Sequence, residues 1–271
     1  MKFLQRFYMG LIFFFLYAPI LILMVFSFND SKNRSVWDGF TLRWYEELFH
    51  DEQILQALLV TLSVAVLSAL ISTVLGTAAA IGIHNMKKGP RTTYLTVNNI
   101  PVMNPDIITG VSMLLLFVFL SQTMRLGIFQ LSFFTLLLAH VTFNTPYVIL
   151  SVMPKLRQMD PNIYEAALDL GAKPRTAITK VVLPQIMPGV VTGGIMAFTM
   201  SLDDVVVSYF TSGSTSQTLG AYIFAMTKKQ VSPEINALST IMFLVIFLLL
   251  VVVNIRQEKD KQRQARMRKR Y

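Results

Sequence analysis

Three carboxylates stand inside long apolar runs of this chain: Asp106, and the adjacent pair Asp203 and Asp204. No Lys or Arg accompanies them there. An Asp at the centre of an apolar helix costs about 2.5 to 3.5 kcal/mol on insertion scales, so such residues are expected to face a cavity and mark a pathway. A set of acids without basic partners is suited to binding cations. It is poorly suited to oxyanions, which favour Arg or helix N-termini. Tyr147, Tyr209 and Tyr222 could offer ring faces to an ammonium group, although aromatic residues are also routine at membrane interfaces.

These residues do not make an enzyme's constellation. An intramembrane enzyme needs a nucleophile with a base, or a metal cluster. The chain has no cysteine, which excludes disulfides, thiolate chemistry and cysteine-based zinc sites, and no metal site is expected. His50, His84 and His140 are far apart in sequence. His140, near Asn144, is the one histidine well inside an apolar run and reads as a packed or hydrogen-bonded residue. No Gly-x4-Gly-Lys-Ser/Thr phosphate loop is present, so the chain cannot hydrolyse ATP alone.

The elements that must position the acids are membrane spans. Of 271 residues, 54% are hydrophobic and only 14% charged, where a soluble domain carries nearer a quarter. The apolar residues arrive in runs too long for core helices and long enough to cross a hydrocarbon layer of about 30 Å at 1.5 Å per residue. These runs predict an all-α polytopic membrane protein with six transmembrane helices, at about 7–29, 53–83, 94–120, 131–153, 183–210 and 235–254. A signal peptide competes for the first run, but its length, Pro19 within it and the lack of a small-x-small site before Asn29 favour a retained anchor. Asp106 then falls well inside the third span, beside Pro101 and Pro105, and Asp203 and Asp204 nearer the outer end of the fifth.

The net charge of +9 first suggests a nucleic-acid partner, but its distribution is that of a topological signal. The N-terminus, the segments 84–93 and 154–182, and the tail hold 18 of the 24 basic residues. The intervening loops hold Lys32, Arg34, Arg43, Arg125, Lys228 and Lys229. Both termini are therefore expected on the cytoplasmic side of a bacterial cytoplasmic membrane, with no nucleic acid as partner. The basic tail 256–271 is expected against anionic membrane lipid. No internal repeat is evident.

Two stripes of small residues mark close helix packing. Ser68, Ser72, Gly76 and Ala80 recur at four-residue spacing in the second span, and Gly189, Gly193, Ala197 and Ser201 in the fifth. At 100° per residue Asp204 continues the second stripe and Asp203 lies at its edge. Between the fourth and fifth spans lies a segment too polar to span. Asp160-Pro161 can start a helix, Gly171 can stop it, and Pro174 can open a second that runs to Val182. Ala166, Ala167, Leu170 and Ile178 give this pair an apolar side that needs a partner.

Glu165-Ala166-Ala167, then three residues, Gly171, nine more, and a hydrophobic-x-Leu-Pro ending at Leu183-Pro184 resembles the EAA motif of permease subunits in binding-protein-dependent ABC importers. The family's motif usually has Ile where Val181 stands. The resemblance implies the MetI-like fold of type I ABC importer permeases, with a transmembrane permease domain over 1–255. It also implies that coupling helices at 160–182 dock into a separate ATPase through Glu165, Ala166, Ala167, Gly171, Leu183 and Pro184. Residues 39–45 (GFTLRWY), 104–107 (NPDI), 201–208 (SLDDVVVS) and 232–237 (SPEINA) further resemble the second permease subunit of spermidine/putrescine importers, the PotC type.

That resemblance implies four kinds of partner. They are a homologous second permease subunit (PotB type), two ATPase subunits (PotA type) and an extracellular polyamine-binding protein (PotD type), with membrane lipid around them. No cofactor is expected in this chain, since ATP and Mg would reside on the ATPase subunits. A polyamine is a flexible chain of ammonium groups and methylenes, which fits Asp106, Asp203 and Asp204 as its substrate path. A permease for ferric iron or a neutral solute is the rival within the class. A secondary transporter could also use intramembrane acids, but the Glu165 to Pro184 signature and the lack of a twelve-span architecture argue against one.

Overall fold

The computed structural model describes residues 2–31, 36–227, 234–245, 247, 248 and 251. Among these residues the chain is helical, with no strand and one isolated bridge between Asn29 and Phe40. Five helices are long and apolar enough to cross a membrane: Leu4–Phe26, Glu52–His84, Asp106–Thr123, Phe133–Gln158 and Pro174–Asp203. A further apolar helix, Glu234–Val245, is shorter; most of the rest of the predicted span 235–254, and the basic tail 256–271, lie outside the described residues. The chain divides into two compact units, one of Met1–Glu52 with Met226–Tyr271 and the other of Gln53–Ala225.

In the first unit, α1 (Lys2–Phe26) is apolar on all sides and buries 0% of its most apolar window within the chain, as a helix meant for contact with lipid or another subunit does. Asn29, 1% exposed, organises the turn that follows. Its Nδ2 donates to Val36 O at 2.7 Å, its Oδ1 accepts from Asp38 N at 3.0 Å, and its carbonyl accepts from Trp44 Nε1 at 2.7 Å. Trp44 lies on α2 (Arg43–His50), and Phe28 stacks between Phe40 and Tyr45 at 5.4 and 5.3 Å. The segment 39–45 is thus the clasp that folds this loop back onto the end of α1.

The second unit is built around α6 (Phe133–Gln158), which buries 56% of its apolar window. Against it pack α3 (Glu52–His84), α4 (Lys88–Met103) and α9 (Leu183–Asp203), with Val148, Val152, Leu156, Ile186 and Ala197 at the contact. Both small-residue stripes lie buried in this core. A Cβ at Gly76 would sit 2.7 Å from Val148 Cβ, and one at Gly193 only 3.1 Å from Val148 Cα. The glycines are required because backbones meet there.

Two predicted spans are broken. The third becomes α4 and α5 (Asp106–Val118), joined through extended Asn104 and Pro105, because a residue before proline is disfavoured in helix. Asp106 is therefore the first residue of an apolar helix and not the middle of a continuous one. The fifth ends as α9 at Asp203 and resumes at α10 (Val206–Thr211).

Between α6 and α9, α7 (Ile163–Asp169) starts two residues later than the Asp160-Pro161 signal suggests, because the Asp160 carboxylate accepts Asn162 N–H at 2.9 Å and forms a turn first. Gly171 ends it at φ +85°, with Gly171 N donating to Leu168 O and Ala172 N to Ala167 O, a Schellman closure. Pro174 opens α8 (Pro174–Ala177), but the helix does not stop at Val182. A π-helical turn at Ile178–Val182 carries it directly into α9, just before Pro184, whose missing N–H leaves a carbonyl one turn back without its usual donor. Helix α11 (Leu219–Thr227) closes the unit through Leu219 N, which donates to Thr61 Oγ1 at 2.7 Å.

Gly76→Leu or Gly193→Leu should lower the thermal midpoint of the purified protein markedly, since overpacking of a tight contact costs about 1 to 3 kcal/mol. Gly82→Ala, with nothing within 4 Å of its added Cβ, should leave it near the parent value.

Candidate acidic site and the helix pair beside it

The packing of α5 on α10 brings Asp106, at the head of α5, towards the adjacent pair Asp203 and Asp204. Asp203 lies within electrostatic range of Asp204 and Asp106, and Tyr147 within range of Asp106. Helix α5 reaches this region through Gly110, one turn beyond Asp106. A Cβ at Gly110 would lie 2.9 Å from Phe210 Cδ2 and 3.3 Å from Val207 Cα on α10. Asp106 and Asp203 are both exposed within the single chain. Asp106 occupies the first turn of α5, where the positive end of the helix dipole favours its negative charge.

Asp204 differs from its neighbour. Its side chain is 7% exposed, and its two oxygens accept Val207 N at 3.2 Å and Ser208 N at 2.7 Å, closing the N-terminus of α10. The exposed Asp203 and the buried Asp204 are thus separated by the break itself, which turns one carboxylate outward and the other into the packing. Of the three tyrosines, Tyr147 lies within electrostatic range of Asp106. Tyr209 packs edge-on against Phe210 and Phe224, and Tyr222 lines a pocket of about 220 Å³ with Gln53, Gln56 and Gln217 that contains none of the acids.

Behind the break lies a buried polar chain that sequence reasoning did not assemble. His140, 0% exposed, meets Ser201 Oγ through Nδ1 at 2.5 Å and Ser208 Oγ through Nε2 at 3.0 Å, and its Nε2 lies 3.6 Å from Asp204 Oδ2. Ser201 Oγ lies 2.9 Å from Ser68 Oγ, which accepts Asn144 Nδ2–H at 3.3 Å. One donor order satisfies the whole line: Asn144 to Ser68, Ser68 to Ser201, Ser201 to His140 Nδ1, and His140 Nε2–H to Ser208, whose hydroxyl also interacts with Asp204. Asn144 Oδ1 and Thr77 Oγ1 are buried without a hydrogen-bond partner among the described residues. The sequence held two signals of this chain, His140 and Asn144 on one face of α6 and serines within both small-residue stripes. Their meeting depends on the packing of α3, α6 and α9.

The helix pair α7–α8 and the turn between them present Glu165, Ala166 and Gly171 on the surface, with Leu170 90% exposed, while Ala167 and Ala177 turn inward; at the start of α9, Pro184 is exposed and Leu183 packs against the core. Tyr164 and Met159 pack on the same core, so this pair has a fixed seat and an uncovered apolar tip. A Cβ at Gly171 would meet nothing within 4 Å, so φ alone demands glycine there.

Comparison with known proteins agrees with this architecture. The chain matches the family described as binding-protein-dependent transport system inner membrane component over residues 72–259. It is 40% identical over 252 residues to the spermidine/putrescine transport system permease protein PotC of Haemophilus influenzae, spanning 93% of this chain and 95% of that protein. It is 41% identical over 228 residues to the putrescine transport system permease protein PotI of Escherichia coli, spanning 84% of this chain and 81% of that protein. Among solved structures, a bacterial ABC transporter involved in import of the acidic polysaccharide alginate aligns with TM-score 0.71 at 13% identity, over 94% of this chain and 95% of that one. The alginate transporter in complex with alginate pentasaccharide-bound periplasmic protein aligns at 0.72 with 18% identity, over 93% and 92%. Those two likenesses concern the fold. With a membrane-spanning helical core of the ABC importer permease type and this extent of sequence agreement, the chain belongs to the family of binding-protein-dependent transport system inner membrane components.

Proposed function

We propose that this chain is a transmembrane permease subunit of an ATP-driven importer for polyamines of the spermidine/putrescine type, with Asp106, Asp203 and Asp204 forming the acidic lining of its path. The observation that carries the reading is the chain's similarity over most of its length to relatives named for polyamine transport, and three acids without a basic residue, on elements that pack together at Gly110, fit that cargo. A path lined by carboxylates replaces part of the hydration that ammonium groups lose in the membrane. Asp106 and Asp203 are the members with oxygens free for a passing cation. Asp204 contributes its charge while capping α10.

In this reading both termini lie in the cytoplasm, six helices span the membrane, and the partners are a homologous second permease, two ATPase subunits carrying ATP and Mg, and an extracellular binding protein. The exposed tip of α7 around Glu165, Leu170 and Gly171 docks on the ATPase. Movement there passes through Leu183 and Pro184 into α9, and so to Asp203. The chain itself performs no hydrolysis.

Uptake of labelled spermidine by cells carrying the whole importer should be competed by putrescine and not by ferric iron or neutral solutes; the opposite pattern assigns another substrate. Asp106→Asn should lower uptake per assembled complex by about tenfold, as loss of a charge-assisted hydrogen bond of about 1.5 kcal/mol implies. Unchanged uptake would remove Asp106 from the path. Gly171→Asp should abolish retention of the ATPase during purification, with uptake lost in parallel. Normal retention and uptake would overturn the docking assignment.

A further inference from the structure

His140 stands at the one place where α9 and α10 can be tied together across their break. Ser201 is in the last turn of α9 and Ser208 in the first turns of α10, and the two nitrogens of one imidazole reach both, at 2.5 and 3.0 Å. Of the two intervening residues, Val205 belongs to the start of α10, its carbonyl accepting Tyr209 N–H at 2.9 Å. The Asp204 carboxylate secures only the second helix's N-terminus. Thr135 Oγ1 ties only the far end of α10 to α6, donating to Thr211 O at 3.0 Å, whereas His140 reaches both sides of the bend.

The consequence falls on Asp203, the last residue of α9 and an exposed acid. Its direction depends on where α9 stops and how α10 departs. Resting on the cation-path reading above, we propose that His140 is a positioning residue for substrate. Acting through Ser201 and Ser208, it fixes the α9–α10 bend, and thereby the placement of Asp203 relative to Asp106 that a polyamine's ammonium groups meet. A ring with one donating and one accepting nitrogen suits this task. It bridges two hydroxyls in a fixed plane, and it is itself held on α6, the most buried helix of its unit. The groups facing it are Ser201, Ser208, Asp204 and the ring of Phe143 at 5.0 Å, so no basic residue competes for its place.

The test uses the complete importer in vesicles with its binding protein, and uptake is normalised to assembled complex. His140→Leu removes both hydrogen bonds and His140→Gln keeps one donor and one acceptor, while Ser201→Ala removes the contacts to His140 and Ser68 and Ser208→Ala those to His140 and Asp204. The expected result is a rise in KM for spermidine of about thirtyfold in His140→Leu, and smaller rises of about fivefold or more in the serine variants, as loss of hydrogen bonds of about 1 kcal/mol each implies. His140→Gln should recover most of the affinity. The ratio of KM for spermidine to KM for putrescine should also shift, because the spacing of the acids changes. A purely structural histidine would lower the amount of complex and leave KM untouched. If His140→Leu does not assemble, the two serine variants carry the test. Unchanged KM in the assembled variants, or a His140→Gln as impaired as His140→Leu, overturns the proposal. Asp106→Asn run in parallel separates the two ideas: normal transport there removes Asp106 from the path and with it the pairing the proposal invokes, whereas an impaired Asp106→Asn beside an unaffected His140→Leu defeats only the positioning role.

Discussion

Close approach of three helix backbones governs this chain. Helices in an apolar medium gain little from burying apolar surface against one another and are held by van der Waals contact and interhelical hydrogen bonds, both of which demand short distances. Here Gly76 on α3 and Gly189 and Gly193 on α9 bring backbone against α6 at Val148, Val152 and Ser151. The same two stripes continue into serines, and that continuation has a polar result. Once the glycines set the spacing, Ser68 and Ser201 have hydroxyls 2.9 Å apart, and His140 and Asn144 on α6 complete a hydrogen-bonded line through a region with no exposure. Packing and polarity in this core are therefore one feature. Any change that widened the contact would loosen the hydroxyl pair as well, and a buried hydroxyl left unpaired costs about 1 to 3 kcal/mol.

Much of the architecture is legible in the sequence because its rules are local. The runs of apolar residues locate the long helices, and the four-residue spacing of small side chains locates the buried faces of α3 and α9. Gly171 and Pro174 mark a helix stop and start where the chain has them. The break at Asn104-Pro105 follows from proline chemistry, although its effect on Asp106, promoted from mid-span to the head of a helix, is visible only in three dimensions.

The break at Asp204 and Val205 has no comparable signal. Neither residue is glycine or proline, and periodicity runs through them without interruption. What stops α9 is a carboxylate turning to cap the following helix and a histidine from a distant segment bridging the two ends. The candidate site was similarly half legible. The three acids could be named from composition, yet their division into two outward carboxylates and one structural one depends on contacts between elements remote in sequence. The continuous passage from α8 into α9 was hidden for the opposite reason, since Pro184 reads as a boundary and the π turn at Ile178–Val182 accommodates it.

That π turn also sets an angle. A π-helical turn accommodates one residue more than an α-helical turn, and one residue in an α-helix corresponds to about 100° of rotation. The rod from Pro174 to Asp203, about 45 Å long at 1.5 Å per residue, thus has a fixed torsional phase between its two ends. Regularising the turn would keep the rod intact while swinging the Pro174 end around its own axis relative to Asp203. The extra residue works as a keyway: it decides which side of the shaft faces α7 for a given setting of the acid at the far end.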